Sequence, residues 1–114
     1  GGFLINVAIL GFGMVGSGVY EVLKNNAANI ARRAGQPVEV KYILDIRDFS
    51  ARPDAALFVN QIEPILKDDE VSTVVETIGG TKPAYFYVSR KFSLNTTVLY
   101  FTYVIKKLVV ACNV

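Results

Sequence analysis

A glycine-rich turn near the amino terminus contains the first residues whose types and spacing could do chemistry. Gly11, Gly13 and Gly16 follow the pattern G-x-G-x-x-G, directly after a short apolar run and before a helical pattern. Such a turn leaves the first backbone N–H groups of the helix free to hold a diphosphate, helped by the positive end of the helix dipole. A glycine turn without a ligand is the alternative, but the flanking strand and helix favour dinucleotide binding.

Each of these three glycines has a separate physical role in this interpretation. Gly11 lets the chain turn sharply out of the strand, and Gly13 has no side chain to keep a diphosphate away from the backbone. Gly16 allows the helix to lie close to the strand. The sequence therefore predicts that the backbone N–H groups of this turn face the phosphates of a cofactor.

An acidic and a basic residue follow the second apolar run. Asp45 comes 34 residues after Gly11, against a usual spacing of about 20 for the carboxylate that binds the adenine ribose. Such a carboxylate favours NAD, whereas Arg47 could hold the 2′-phosphate of NADP with two parallel hydrogen bonds. A surface ion pair between the two side chains is a third interpretation. The residues alone leave these alternatives open.

A third candidate region is the end of the apolar run from Val71 to Ile78, which leads into Gly79 and Gly80. Strand ends of this kind line the crevice at the carboxyl edge of an open α/β sheet, where cofactors bind. Glu76 is unusual, because a carboxylate inside an apolar strand is costly unless it is paired or reaches the rim. It is either a site carboxylate or a residue satisfied by a neighbouring amide.

Alternating strands and helices are needed to position these residues. The pattern predicts strands over Phe3 to Leu10, Val38 to Leu44, Val71 to Ile78 and Val98 to Ile105, and helices from Met14 to about Arg33 and from Thr81. The segment from Phe49 to Asp69 is mixed, with short helical turns expected over Ala55 to Val59 and Gln61 to Leu66. This order predicts an α/β, Rossmann-like fold, a doubly wound parallel sheet in three layers with helices on both faces.

Composition limits the classes of protein that remain. A chain of 114 residues is one domain, and a formal charge of +2 is too small to indicate nucleic-acid binding. Without histidine, neither a histidine metal site nor a Ser-His-Asp triad can form, and we expect no metal. No apolar run reaches the ~18 residues of a membrane span. With Cys112 as the single cysteine, we expect a soluble, cytoplasmic protein.

Four stretches together resemble the amino terminus of homoserine dehydrogenase. They are the run from Asn6 to Val19, Ile30 to Gly35, Leu44 to Asp48, and Val74 to Gly80 followed by Pro83-Ala84-Tyr85. The resemblance covers about residues 4 to 92. It implies that residues 1–114 are the NAD(P)-binding domain of a larger chain whose catalytic and dimerisation domain is absent here. That family reduces aspartate semialdehyde to homoserine with NADH or NADPH, in threonine and methionine biosynthesis.

The resemblance also implies roles for individual residues. Phe12, Met14 and Val15 would meet the cofactor phosphates, and Arg47 the adenosine end. The residues placed near the nicotinamide ribose would be Thr77, Ile78, Gly79 and Gly80. The last third departs from the family pattern, since Ser93 to Thr97 replaces a glycine turn. With a shift of three residues, Lys106 matches the family lysine near cofactor and substrate, although it could equally solvate an apolar strand end.

The resemblance places the decisive acid–base lysine and carboxylate of the reaction in the absent second domain. We therefore expect this chain to turn over nothing by itself, and we expect the full-length enzyme to be a homodimer through that second domain. A module that binds NAD(P) without catalysis is the alternative function.

Overall fold

One parallel sheet organises the computed structural model, which describes residues 4–78 and 96–100. Its five strands lie in the order β3-β2-β1-β4-β5. In chain order the elements are β1 (Ile5–Leu10), α1 (Met14–Asn25), α2 (Ala27–Ala34), β2 (Val38–Leu44), β3 (Phe58–Val59), α3 (Glu63–Leu66), β4 (Val71–Glu76) and β5 (Thr97–Tyr100), with a 3-10 turn at Ala55–Leu57 before β3. The strand order, with every pair parallel, is that of a Rossmann fold.

The central strand β1 determines where the site lies. Its residues from Val7 to Leu10 are almost fully buried, which explains why this strand is a nearly continuous apolar run. Leu10 lies opposite Leu44 of β2 and Glu76 of β4. The carboxyl ends of three neighbouring strands therefore lie side by side at one edge of the sheet.

Helices cover both faces of the sheet, which confirms the three-layer α/β prediction. On one face, Tyr20 of α1 packs with Ile9 and Ile43. On the other face, Ile65 of α3 packs with Leu10 and Val74. Each face of the sheet thus has its own apolar core, as a doubly wound architecture requires.

The single helix predicted from Met14 to about Arg33 is wrong, because two helices meet at Asn26. Both the backbone N–H and the side-chain amide of Asn26 donate to the Val22 carbonyl, at 3.0 and 3.1 Å. Asparagine competes in this way for backbone groups that a continuous helix would use. The end of α2 follows the sequence pattern, since Gly35 adopts a left-handed φ of 79° there.

Two further differences concern the strands. Phe58–Val59, expected in a helical turn, instead forms β3 and pairs with Ile43 and Leu44. A strand of two residues is too short to show an alternating pattern. Strand β4 ends at Glu76 rather than Ile78. The helix expected from Thr81 and residues 101–105 of the last predicted strand lie outside the described residues.

Candidate functional site

The turn after β1 has the sharp bend that the sequence predicts at Gly11. Gly11 has a φ of 101°, a conformation that side chains rarely adopt, and its N–H donates to the Leu44 carbonyl at 2.7 Å. Gly16 is constrained differently, because a Cβ there would overlap the carbonyl oxygen of Gly11. Both glycines are therefore required by the fold of the turn.

Gly13 is not required by packing. No described atom lies within 4 Å of a Cβ built on Gly13, and the residue is exposed. It is the N-cap of α1, with no side-chain hydrogen bond to the helix start among the described residues and no acidic residue in the first turn. Met14 beside it is 93% exposed. The free N–H groups of this helix start and the open space above Gly13 fit a diphosphate.

Phe12 anchors the turn to the protein interior. Its backbone N–H donates to Oδ2 of Asp45 at 2.9 Å. Its ring is buried and contacts the rings of Tyr20, Phe49 and Phe58 edge-on, with centroids 4.9 to 5.9 Å apart. Such edge-to-face packing is the preferred geometry of aromatic pairs. The amide and the ring of Phe12 are thus both used within the protein.

Asp45 and Arg47 form an ion pair, the third interpretation left open by the sequence. The Arg47 side chain donates from Nε to Oδ1 at 3.0 Å and from Nη2 to Oδ2 at 2.9 Å, and its backbone N–H also donates to Oδ1. These bonds, with that from the Phe12 amide, hold the pKa of Asp45 well below its usual range. The Asp45 side chain is 9% exposed and that of Arg47 58%. A ribose hydroxyl would have to displace Arg47 to reach this carboxylate.

A cavity of about 570 Å³ opens beside this ion pair. Arg47, Phe49, Phe58 and Asn60 line it, together with Ile46, whose apolar side chain is 91% exposed. Its volume lies within the range of small-ligand sites. Sequence reasoning missed this cavity because β3, which carries Phe58, was not predicted. The available signal was Ile46, an apolar residue directly after a strand-end carboxylate.

A second set of residues that the sequence analysis did not identify packs against the Phe12 ring. The Tyr20 hydroxyl donates to Asp54 at 2.8 Å, and Nε of Arg52 donates to the same carboxylate at 2.8 Å. Arg52 lowers the pKa of Asp54 to about 2, with a smaller contribution from Tyr20. The Arg52 guanidinium lies 5.0 Å from the centroid of the Phe12 ring. These contacts join α1, the segment before β3 and the glycine turn.

The end of β4 forms the other side of the turn. The Thr77 hydroxyl lies 2.9 Å from the Leu10 carbonyl oxygen and 3.0 Å from that of Gly11. Glu76 is 4% exposed and accepts a hydrogen bond from the Ile78 N–H at 2.6 Å, so a neighbouring amide does contact this carboxylate. Ile78 is 54% exposed at the same edge of the sheet. Thr77 and Ile78 thus lie next to the glycine turn.

Three of the predicted site residues, Gly79, Gly80 and Lys106, lie outside the described residues, so their contacts remain predictions. Within residues 4–78 and 96–100, no group of three or more His, Cys, Asp or Glu side chains could hold a metal ion. No helix in that same part of the chain is long and apolar enough to cross a membrane.

The strand order and the open glycine turn define a dinucleotide-binding α/β domain. No family model matches the chain. Homoserine dehydrogenase of Neisseria gonorrhoeae is 38% identical over 80 residues, and the match covers 68% of this chain and 18% of that protein. The enzyme of Pseudomonas aeruginosa is 41% identical over 81 residues, which cover 67% of this chain and 18% of that protein. The structure of homoserine dehydrogenase from Thiobacillus denitrificans matches with a TM-score of 0.73 at 31% identity, over 85% of this chain and 23% of that one. The chain belongs to the homoserine dehydrogenase family.

The match concerns a limited part of these relatives. The chain spans about a fifth of the length of the curated relatives that it matches, in their amino-terminal region. The family implies a nicotinamide dinucleotide as cofactor.

Proposed function

We propose that this chain is the NAD(P)-binding domain of a homoserine dehydrogenase that reduces aspartate semialdehyde to homoserine. The observation that carries the proposal is the open start of α1, where Gly13 leaves space and no described side chain caps the helix. Helix starts in soluble proteins are normally satisfied by a cap, water or a ligand. A diphosphate supplies the missing acceptors.

The site residues then divide into groups along the cofactor. The backbone N–H groups of Gly13, Met14 and Val15 bind the diphosphate, while Gly11, Phe12 and Gly16 shape the turn that presents them. Arg47, paired with Asp45, lies at the adenosine end, and the cavity beside Ile46 takes the adenine. The residues at the nicotinamide ribose are Thr77, Ile78, Gly79 and Gly80.

NADP is the better fit at the adenosine end. Both carboxylate oxygens of Asp45 already accept hydrogen bonds from Arg47, and Oδ2 also accepts one from Phe12, so the acceptor that NAD would need is occupied. The more exposed Arg47 can offer donors to a 2′-phosphate. We therefore propose that NADP(H) binds more tightly than NAD(H).

The cofactor supplies the hydride when it is bound, and the protein positions it and excludes water. Lys106 is the proposed counterpart of the family lysine near cofactor and substrate. The decisive acid–base groups and the homodimer contacts are assigned to the second domain of the full-length enzyme. We place that enzyme in the cytoplasm, in threonine and methionine biosynthesis.

A comparison of two glycine variants tests the proposal. Gly13→Ala adds a methyl group in the space assigned to the diphosphate, whereas Gly18→Ala adds one in open space elsewhere on α1. In calorimetric titration with NADPH and NADH, we expect G13A to weaken binding by about tenfold or more, at an unchanged melting temperature, and G18A to bind like the wild type. Equal binding by G13A and wild type, or no binding of either cofactor by the wild type, would contradict the proposal.

A further inference from the structure

Two glycines leave a notch that the hydroxyl of Thr77 fills. A Cβ built on Gly11 comes within 2.9 Å of Thr77 Oγ1, and a Cβ built on Gly16 comes equally close. Real Cβ atoms essentially never come this close to another heavy atom, so a side chain at either position would force a neighbouring group to shift. The absence of side chains at Gly11 and Gly16 thus leaves room for this one hydroxyl. It also permits the bend at Gly11 and the close packing of α1 at Gly16.

The hydroxyl in this notch is used within the protein. It lies at hydrogen-bond distance from the carbonyl oxygens of Leu10 and Gly11, the last residue of β1 and the first of the turn. The backbone N–H of Thr77 also donates to Leu10, at 2.9 Å. The end of β4 therefore holds the chain at the point where it leaves the sheet. From the other side, the Gly11 N–H donates to Leu44 of β2.

We infer that Thr77 is a positioning residue for the diphosphate turn. Its hydroxyl fixes the carbonyl groups of Leu10 and Gly11, and with them the left-handed bend after which the free N–H groups of α1 begin. This role differs from contact with the nicotinamide ribose, which the resemblance implies. The inference rests on the proposed function, because it assigns these N–H groups to a dinucleotide.

Three substitutions at Thr77 separate the effect of its hydroxyl from the effect of its side-chain volume. Thr77→Ser keeps the hydroxyl, Thr77→Ala removes it without adding atoms, and Thr77→Val places a carbon where two carbonyl oxygens lie 2.9 and 3.0 Å away. Thr73→Val is the matched control, since Thr73 lies on the same strand and no side-chain hydrogen bond of it is found among the described residues. The 114-residue chain is titrated with NADPH and with 2′-AMP, which has no diphosphate.

For NADPH, we expect the dissociation constants of T77S and T73V to lie within about twofold of the wild-type value. T77A should bind about tenfold more weakly, because loss of one hydrogen bond costs roughly this much. T77V should bind more weakly still. For 2′-AMP, T77A should remain within about twofold, because this ligand does not reach the turn. If T77V does not fold, the contrast between T77A and T77S decides.

Two outcomes would overturn the inference. One is NADPH binding by T77A within twofold of the wild type, and the other is an equal loss of both ligands in T77A, which would indicate general damage to the fold. A wild-type chain that binds neither NADPH nor NADH would instead overturn the proposed function. The two failures are therefore distinguishable.

Discussion

Asp45 connects the Arg47 side chain to the glycine turn. One of its carboxylate oxygens accepts a hydrogen bond from the Phe12 N–H, and both oxygens accept hydrogen bonds from Arg47. This one carboxylate thus holds two backbone segments that are 33 positions apart. Charge-assisted hydrogen bonds of this kind are the stronger ones in proteins.

Asp45→Asn tests this role through stability. We expect D45N to lower the free energy of unfolding by about 1–2 kcal/mol near neutral pH, a modest value because Arg47 is largely exposed and solvent screens its charge. Since the folded state depresses the pKa of Asp45, its contribution is complete above the unfolded pKa of about 4 and is lost as the pH falls below it. Urea unfolding of both proteins across this range measures the difference.

Asp69→Asn is the control for that series. Asp69 is exposed, and no hydrogen bond or ion pair of its side chain is found among the described residues. D69N should stay within about 0.5 kcal/mol of the wild type near neutral pH. A gap between wild type and D45N that is as large at about pH 3 as near neutrality would contradict the role assigned to Asp45.

At the scale of elements, the two glycines Gly16 and Gly18 of helix α1 differ in how closely other atoms approach them. The helix begins against the glycine turn, and Tyr20 on its buried side donates to Asp54 in the segment before β3. Gly16 lies against the Gly11 carbonyl at the start of this helix. Gly18, two residues later, has no described atom within 4 Å of the position of a Cβ. The position of Gly16 therefore requires glycine, whereas the position of Gly18 has room for a side chain.

Alanine substitutions of these two glycines should have opposite effects on stability. G16A should lower the free energy of unfolding by about 1–3 kcal/mol, because the new methyl group overlaps the Gly11 carbonyl and the turn must move. G18A should raise it by about 0.5–1 kcal/mol, because alanine loses less backbone entropy in a helix. Thermal and urea unfolding measure both values, and destabilisation of equal size in the two variants would rule out this account of Gly16.

At the scale of the whole molecule, the site is assembled from the ends of three strands and not from one segment. The glycine turn follows β1, the Asp45–Arg47 pair follows β2, and Thr77 follows β4. The sheet brings these ends together because its strands are parallel and in register at Leu10. Under the proposed function, cofactor binding therefore depends on an intact sheet, and the acid–base chemistry belongs to a second domain.

The 114-residue chain should therefore bind a nicotinamide dinucleotide without oxidising homoserine. We expect NADPH at about 100 times its dissociation constant to raise the free energy of unfolding by about 2.7 kcal/mol. In the same preparation, incubation with NADP and homoserine should form no NADPH, as followed by absorbance. A full-length homologue serves as the positive control. Formation of NADPH by the chain alone would show that the division of labour between domains is wrong.

The sequence by itself determined the parts that depend on neighbours along the chain. The glycine spacing predicts the turn and its bend at Gly11, and apolar runs predict β1, β2 and most of β4. The alternation of elements predicts a parallel sheet with helices on both faces. These features follow from local backbone preferences and from the period of the apolar residues, which can be read without knowing the fold.

Only the tertiary structure decided which groups the site residues contact. The Phe12 amide pairs with Asp45 across 33 positions, and the Thr77 hydroxyl reaches Leu10 across 67. The two-residue strand β3 is defined by its pairing with Ile43 and Leu44 of β2, and the cavity lies beside it. No local pattern encodes such contacts, because they form only when strands distant in the sequence pair and bring their ends to one edge of the sheet.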